Sequence, residues 1–362
     1  YTLSPDNRWI AFTDLHKVYV AAFPETGKTL DLSGGSMNLP VAQFAKDAGI
    51  NLHWSKDSKT LHWTLGDEYF SKALNERFLF LEGAADSLDA LPLKGIPVGL
   101  VLKTAKPTET YVLNNARIIT VNQLDEVIEK GYIVVQENKI VEIHSGSYDP
   151  EFSKIKGVKD IRDCKGKTIM PGMVDVHAHL WTFREGIHPQ NYWPYVANLA
   201  YGVTTTHDPS SNTEMVFTQS EMVKTGSMIG PRIYSTGTIL YGADGDFKAV
   251  INNYDDARSA VYRTQAFGAF SVKSYNQPRR EQRQQVITAA DSLGVMVYPE
   301  GGSFFYHNMS MILDGHSGVE HNIPVAPVYN DVVQLWSRSN TGYTPTLIVC
   351  YGAASGENYW YQ

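Results

Sequence analysis

The chain has 362 residues, of which 43% are apolar and 19% charged, a composition that is typical of a globular protein and excludes a disordered one. Its net charge of −7, without a long run of Lys or Arg, argues against nucleic acid or an anionic membrane as a partner. No apolar run is long enough to span a membrane. The two cysteines, Cys164 and Cys350, lie far apart in sequence and imply no disulfide.

The first segment, residues 1–107, carries a repeated pattern of a polar turn and a strand. Ser4–Phe12 places Ser-Pro-Asp-Asn before an apolar strand, and Trp54–Trp63 repeats the theme around Ser-Lys-Asp-Ser. Further strands are predicted at Lys17–Ala21 and Leu100–Leu102. A turn and alternating strand that recur at about the length of one propeller blade form a repeat signal.

This repeat resembles the S-P-D-G repeat of TolB-like β-propellers, with Asn7 and Ser58 where that family usually has Gly. A propeller needs about four blades, and only one or two fit here. Two interpretations follow. Either residues 1–107 are a separate two-repeat β domain, or, as we expect, they are the end of a propeller and its linker.

The second segment, residues 108–170, is rich in β-forming residues. Predicted strands lie at Tyr111–Thr120, Gly131–Gln136 and Lys139–Ile143. Only Glu137 and Asn138 separate the last two strands, and two β-rich runs around a two-residue polar turn predict a hairpin.

The next stretch, from Thr168 to Leu180, reads T-I-M-P-G-M-V-D-V-H-A-H-L. Side chains two apart on a strand share a face, so His177 and His179 are predicted to point the same way. Two adjacent imidazoles suit zinc, iron or nickel. Taken alone, an H-x-H pair is a weak signal, and its ordinary interpretation is a pair of polar residues at a strand end.

Residues 171–362 alternate between β-rich and helical stretches, which is the pattern of a parallel sheet with crossover helices. Helices are predicted at Trp193–Tyr201, Glu214–Thr225, Tyr254–Phe267 and Arg280–Leu293, with a further helix before Gly318. Strands are predicted up to His179 and at Gly202–Asp208, Gly230–Gly237, Ala269–Tyr275, Gly294–Gly301, Gly318–His321 and Tyr343–Val349. Polar residues cluster at the carboxyl ends of these strands, where barrel enzymes place their chemistry.

The run P-G-M-V-D-V-H-A-H, preceded by D-C-K-G-K-T-I-M, closely resembles the signature of the amidohydrolase superfamily, and the motifs come nearest to its imidazolonepropionase- and prolidase-like branch. The resemblance implies an α/β fold, a (β/α)8 TIM-type barrel over residues 171–362, preceded by a small β-sandwich over residues 108–170. Seven of eight strands are visible. The strand-eight aspartate and the return to the sandwich are missing, so we expect a fragment truncated at both ends and inactive by itself.

The same resemblance implies a metal centre. His177 and His179 would be its first ligands, and His321, in G-V-E-H, matches the strand-six ligand motif. Lys273, in V-K-x-Y, stands where the family has a lysine that carbon dioxide carbamylates so that it bridges two metals; the alternative is a surface lysine. Glu300 stands where many relatives have a histidine, and it is expected either to bind the metal or to hold a residue that does. One or two ions, most simply zinc, are therefore expected.

Three further residues are expected on the substrate side. His207 ends the second barrel strand and is interpreted either as a substrate-side residue or as a support for a metal ligand. Tyr275 belongs to the V-K-x-Y motif, and His316 lies in a loop before His321. For His316, a solvated polar turn is an equally good interpretation.

These features predict a metal-dependent hydrolase that cleaves an amide or cyclic amide bond with a metal-activated water. The expected substrate is a small-molecule amide or a dipeptide. The alternatives are a non-catalytic ligand- or peptide-binding protein with a degenerate barrel, or an ester or lactone hydrolase or a deaminase. An oligomer is compatible with the sequence. The resemblance to exported propeller fusions implies a periplasmic or secreted protein.

Overall fold

The computed structural model describes residues 1–180, 189–243, 249–277, 279–302, 304–325 and 327–346. Two antiparallel four-stranded sheets come first, a five-stranded sheet follows, and the remainder alternates parallel strands with helices. The end of the last predicted strand, residues 347–349, and Cys350 lie outside the described residues. None of the helices in the described ranges has the length and apolar character that crossing a membrane requires.

The N-terminal region forms two sheets of four strands each. The first sheet contains β1 (Thr2–Leu3), β2 (Trp9–Asp14), β3 (Lys17–Ala22) and β4 (Val41–Gln43), and the second contains β5 (Ile50–Trp54), β6 (Thr60–Leu65), β7 (Glu68–Ala73) and β8 (Ile96–Pro97). A short 3-10 helix at Leu74–Glu76 follows β7. The sheets share one core, which includes Trp9, Val20, Trp63 and Phe70. That these sheets are blades of a propeller stays a prediction.

The turns that open the two repeats are built in the same way. Ser4 Oγ donates to Asp6 Oδ1 at 2.6 Å, and that oxygen also accepts from the backbone N–H two residues further on, at 3.1 Å. Ser55 and Asp57 make the same two bonds at the same distances. Each repeat therefore begins with a serine-aspartate turn that fixes the entry into its strand.

TolB-like repeats usually have glycine at one position of this turn, and the backbone conformation of the turn explains that preference. Asn7 and Ser58, which occupy it, have φ angles of 58° and 62°. This left-handed region is the one that glycine reaches without steric cost.

One predicted strand of this region is absent. Leu100–Leu102 is irregular, and its three side chains are between 78% and 88% exposed. The edge of β7 is covered only by the two residues of β8. Pro97 lacks the N–H that a longer ladder needs, and Gly99 turns the chain at φ 68°. A run of three apolar residues predicted this strand wrongly, because no partner strand faces it among the described residues.

The five-stranded sheet contains β9 (Thr110–Ile119), β10 (Val127–Gln136), β11 (Lys139–Ser145), β12 (Val158–Asp163) and β13 (Thr168–Ile169). Its order is β11-β10-β9-β12, and β13 also pairs with β9. The predicted hairpin is confirmed, since Gln136 pairs with Lys139 around the two-residue turn. Ala116, Ile118 and Ile133 form its small core.

The remaining strands are β14 (Met173–Asp175), β15 (Val203–Asp208), β16 (Arg232–Ser235), β17 (Ser271–Lys273), β18 (Met296–Tyr298), β19 (Gly318–Glu320) and β20 (Gly342–Thr344). The helices are α1 (Trp193–Ala200), α2 (Thr213–Lys224), α3 (Tyr254–Gln265), α4 (Arg280–Leu293), α5 (Phe305–Asp314) and α6 (Asn330–Ser337). Asn212 and Asn253 cap α2 and α3 by accepting backbone N–H bonds, and Gly294 ends α4 with φ 68°. Each strand lies within its predicted stretch or extends it by one residue, and helix α6 was not predicted.

The parallel strands form three separate sheets of three, two and two strands, namely β14–β16, β17–β18 and β19–β20. Few backbone bonds link the sheets: Leu240 N, beyond the end of β16, donates to Lys273 O at 2.8 Å. Ser317 N donates to Val297 O at 2.9 Å, and Val297 N donates to Ser317 Oγ at 3.0 Å. Within the described ranges the strands therefore do not close into a continuous barrel, and the predicted eight-stranded ring is present only as these parallel segments.

Helix α3 connects the region of parallel strands and helices to the N-terminal sheets by direct contacts. Arg258 Nη1 donates to Asp47 Oδ1 at 3.3 Å, and Phe267 packs against the shared N-terminal core. At Gly66, φ is 58° and an added Cβ would lie 2.1 Å from the backbone oxygen of Ala266. Only glycine allows this close approach of the β6–β7 turn to the end of α3.

Candidate functional site

The expected metal ligands meet at the carboxyl ends of the parallel strands. His177 and His179 follow β14, Lys273 ends β17, Glu300 follows β18 and His321 follows β19. The ring of His177 lies 5.0 Å from that of His179 and 5.1 Å from that of His321, between centroids. The structure therefore brings these residues together, although both histidines of the H-x-H pair lie beyond the strand.

His177 is the best-defined member of this group. Its Nδ1 contacts the carboxylate of Glu320, and both side chains are nearly fully buried. A carboxylate accepts hydrogen bonds, so this contact favours the neutral tautomer that carries its proton on Nδ1 and keeps a lone pair on Nε2. Nε2 is buried and has no hydrogen-bond partner among the described residues. A buried nitrogen without a partner is costly, and an imidazole oriented in this way is the usual form of a metal ligand.

Glu300 joins Lys273 to His321. Lys273 is only 2% exposed, which contradicts the surface alternative, and its Nζ contacts Glu300 Oε2. Glu300 Oε1 lies 2.5 Å from His321 Nε2. Burial alone would raise the pKa of Glu300, but the His321 hydrogen bond and the Lys273 charge outweigh it and lower the pKa to about 2. Glu300 is thus an ionised carboxylate.

His321 is held in a strained backbone conformation. Its φ is 69°, a value that residues with a Cβ rarely adopt. Its Nδ1 lies 2.6 Å from Thr346 Oγ1, so both ring nitrogens have partners. Strain of this kind persists only where the surroundings impose it, and it is concentrated at functional sites.

His179 stands beside a second buried acid. Its Nδ1 lies 3.7 Å from Asp208 Oδ1. Burial, together with the neighbouring Lys273 and His177 charges, lowers the pKa of His179 to about 4. Burial raises the pKa of Asp208 to about 7. His179 is therefore neutral near pH 7, as a metal ligand must be.

The donor set fits a divalent ion in its chemistry. In the part of the chain that the structure describes, no three His, Cys, Asp or Glu side chains are arranged to share one ion as they stand. The reason lies in the contacts above, since Glu320 and Glu300 each bond to an imidazole of the group. The buried, unpaired Nε2 of His177 is the atom that these contacts leave for an ion.

The residues expected on the substrate side are placed differently from one another. His207 Nε2 lies 2.8 Å from Ser271 Oγ and its ring 5.9 Å from that of Tyr298, and burial lowers its pKa. The ring of Tyr275 lies 5.6 Å from Lys273 Nζ.

His316 is buried in the interior at 2% exposure. Its Nδ1 lies 3.0 Å from the backbone oxygen of Met311, and its Nε2 lies 3.2 Å from Ser274 Oγ. The solvated-turn interpretation of His316 was therefore wrong.

Two residues of the site were not predicted as members of it. Glu320 precedes His321 directly, and its position at the end of an apolar strand was the available signal. Asp208 follows His207 in the same way, but the sequence does not show that it faces His179.

The curated proteins similar to this chain include deaminases. A 5-methylthioadenosine/S-adenosylhomocysteine deaminase of Bacillus cereus is 29% identical over 199 residues, which is 52% of this chain and 42% of that protein. The deaminase of the same name from Bacillus thuringiensis is 44% identical over 71 residues, 20% of this chain and 15% of that protein. The chain thus matches less than half the length of these relatives. No protein-family model matches the chain.

Solved structures show the same architecture. A putative prolidase from Bifidobacterium longum has a TM-score of 0.54 at 21% identity, covering 66% of this chain and 60% of its own. A. niger ochratoxinase has a TM-score of 0.52 at 16% identity, covering 67% and 66%. A Xaa-Pro dipeptidase has 0.51 at 19%, covering 66% and 67%. Together with the curated relatives, these likenesses show a fold of the amidohydrolase type.

Proposed function

We propose that the protein is a metal-dependent hydrolase that cleaves C–N bonds in small molecules. The observation that carries this proposal is the convergence of His177, His179 and His321 with the buried Lys273 and Glu300 at the ends of four strands. The similarity to a deaminase supports the C–N bond as the target at a coarse level. An amide or dipeptide substrate, as sequence pattern and resemblance first indicated, remains the first choice.

In this proposal His177, His179, His321 and Glu300 hold the ion, which when bound supplies a lowered pKa for water and polarisation of the scissile carbonyl. Glu320 keeps Nε2 of His177 available, and Lys273 neutralises Glu300 in the ion-free state. His207 and Tyr275 flank the group from β15 and from the turn after β17, where they would contact the substrate.

Deamination is the second candidate. It is favoured by the 29% identity to a deaminase over 52% of the chain. Both reactions attack a carbon bonded to nitrogen, so one metal centre serves either. The two differ in the product: a deaminase releases ammonia, and an amidase releases an amine and a carboxylate.

The test has a binding arm and a reaction arm. The chain is stripped with a chelator, and zinc affinity is measured by competition with a chromophoric chelator. We expect saturable binding that His177→Ala weakens at least tenfold, because it removes one strong ligand. His144→Ala removes an exposed histidine of β11 and serves as the matched control, with no effect expected.

In the reaction arm, a zinc-loaded full-length protein that contains these 362 residues is incubated with Xaa-Pro dipeptides and with aminopurine nucleosides. Ammonia release identifies a deaminase, and a free amino acid identifies an amidase. Zinc binding that is equally strong in the His177→Ala protein would contradict the proposed centre.

A further inference from the structure

A cleft of about 810 Å³ lies between the N-terminal sheets and helices α2 and α3. Residues of β2 and of the segment leading into β5 line one side. The first turn of α2 and Arg263, on α3, line the other side. Among the described residues, none of the expected metal ligands lines this cleft. Its volume falls in the range of small-molecule sites, roughly 300–1,000 Å³.

Arg263 is an unusual wall residue. It is 7% exposed, and within the described ranges its guanidinium has no hydrogen bond or ion pair; its Nη2 is fully buried and unsatisfied. Burial alone lowers its pKa to about 10, with no acid acting on it. Arg258 on the same helix is paired with Asp47. A buried arginine is normally paired, because an uncompensated charge is costly.

The same side of the cleft also contains the N-terminus of a twelve-residue helix. Asn212 and Thr213 line the cleft at the start of α2. The first N–H groups of a helix carry a partial positive charge that attracts anions. This feature and the unpaired guanidinium of Arg263 are independent, and both favour a negatively charged group.

Two carboxylates limit how much negative charge the cleft accepts. Asp14 and Glu214 also line it. Asp14 Oδ2 already accepts from Gly34 N at 2.8 Å. Burial raises the pKa of Glu214, and no cation opposes this, so Glu214 does not pair with Arg263. These carboxylates would repel a polyanion. A molecule with one anionic group would pair with Arg263, and its hydrogen-bond donors would pair with the two carboxyl groups.

We propose that this cleft is a second ligand site, which binds a small molecule bearing a single oxyanion, a carboxylate or a phosphate, against the guanidinium of Arg263. The site is separate from the candidate metal centre and does not depend on it. Arg263 offers a planar fork of N–H donors that matches either oxyanion. The ligand would replace the ion pair that the protein does not provide.

The experiment measures thermal stability of the chelator-treated chain in sodium phosphate, sodium acetate and sodium chloride at equal ionic strength. Chelator treatment removes any contribution of anions bound to a metal. We expect phosphate or acetate to raise the melting temperature above the chloride value, because a ligand of the native state stabilises it. Arg263→Gln should abolish this rise, whereas Arg338→Gln, which removes an exposed arginine of the same charge, should keep it.

A second readout separates a ligand site from a structural role. In chloride, the Arg263→Gln protein should melt at or above the wild-type temperature, since it removes an unpaired buried charge. Thr13→Trp, at an exposed position of β2 that lines the cleft, adds a bulky ring there while Arg263 itself is unchanged, and it should also reduce the anion-induced rise. No rise with either anion, or a rise that persists in both the Arg263→Gln and the Thr13→Trp proteins, would overturn the proposal.

Discussion

The buried contact between His177 Nδ1 and Glu320 joins the segment after β14 to the end of β19, and the two residues are 143 positions apart in the chain. It places a charged acceptor behind the imidazole and leaves Nε2, on the other side of the ring, without a partner among the described residues. The tautomer that a metal ligand needs is therefore set by a residue outside the ligand group.

The first prediction concerns Glu320. Glu320→Gln replaces the charged acceptor with a neutral amide, so the His177 tautomer is less firmly held and its nitrogen is less basic. We expect the affinity for zinc to fall about 10–100-fold, as is typical for partners of metal-bound histidines. Competition with a chromophoric chelator measures the change. Glu281→Gln, at an exposed position of α4, is the control; an unchanged affinity in Glu320→Gln would show that His177 is not held for a metal.

The second prediction concerns the acid sensitivity that His316 confers. Burial lowers its pKa from 6.5 to about 4. The folded state therefore binds this proton less readily than the unfolded state, so the stability is fully present above pH 6.5 and is lost as the pH falls towards 4. Between pH 7.5 and 5 this one group should cost about 2 kcal/mol of unfolding free energy.

Urea unfolding at the two pH values measures this loss. The His316→Gln protein, which has no titrating group at this position, should lose about 2 kcal/mol less than the wild type over the same interval. His144→Ala removes an exposed histidine of β11 instead and should leave the wild-type pH dependence intact. Parallel losses in the wild-type and His316→Gln proteins would mean that His316 titrates normally.

Local chemistry explains which parts of the fold could be predicted from sequence. The helix at Arg280–Leu293 was predicted to the residue, because its period of apolar positions ends at Gly294, a left-handed terminator. The hairpin around Glu137 and Asn138 has an equally local cause. The strand predicted at Leu100–Leu102 was wrong, because a strand forms only when another strand pairs with it and such pairing strands are distant in sequence.

The candidate site could likewise be predicted only in part from the sequence. His177, His179 and His321 were found from short motifs, and the structure brings their rings together. The roles of Glu320 and Asp208 depend on pairs of strand ends that meet only after folding. The pairing of Lys273 with Glu300 was likewise beyond a sequence pattern, since it needs two different strands in register.

The third prediction tests the backbone of the first repeat. Asn7 is exposed and has φ 58°, a conformation that asparagine tolerates and alanine does not. We expect Asn7→Ala to lower the unfolding free energy by about 1 kcal/mol and Asn7→Gly to leave it equal or slightly higher. Urea midpoints measure both. Asn252→Ala, at an exposed position without a positive φ, should be near neutral; an equal loss there would mean that the asparagine side chain matters, not φ.

The fourth prediction concerns the carbamate on Lys273 that the family resemblance implies. In the ion-free site its ammonium group contacts Glu300 and neutralises it. Carbamylation needs the neutral amine, so the ammonium group first loses one proton. The amine nitrogen then attacks carbon dioxide, an N–C bond forms as one C=O π bond breaks, and a second proton leaves, so that a positive charge becomes a negative one beside Glu300. In a buried site two adjacent anions repel strongly. The carbamate should therefore form only when a divalent cation is present to separate them.

Carbon-13 NMR with labelled bicarbonate measures this coupling. We expect no carbamate signal from the chelator-treated chain, one signal after zinc is added, and none from Lys273→Met under either condition. Lys72 forms another ion pair, with Glu76 at 2.6 Å, but it lies on β7 of the N-terminal sheets and not among the expected metal ligands, so Lys72→Met should keep the zinc-dependent signal. A signal that forms without zinc would contradict the electrostatic argument. If zinc binds tightly and no signal appears, the ion is held by the histidines and Glu300 while Lys273 keeps its amine.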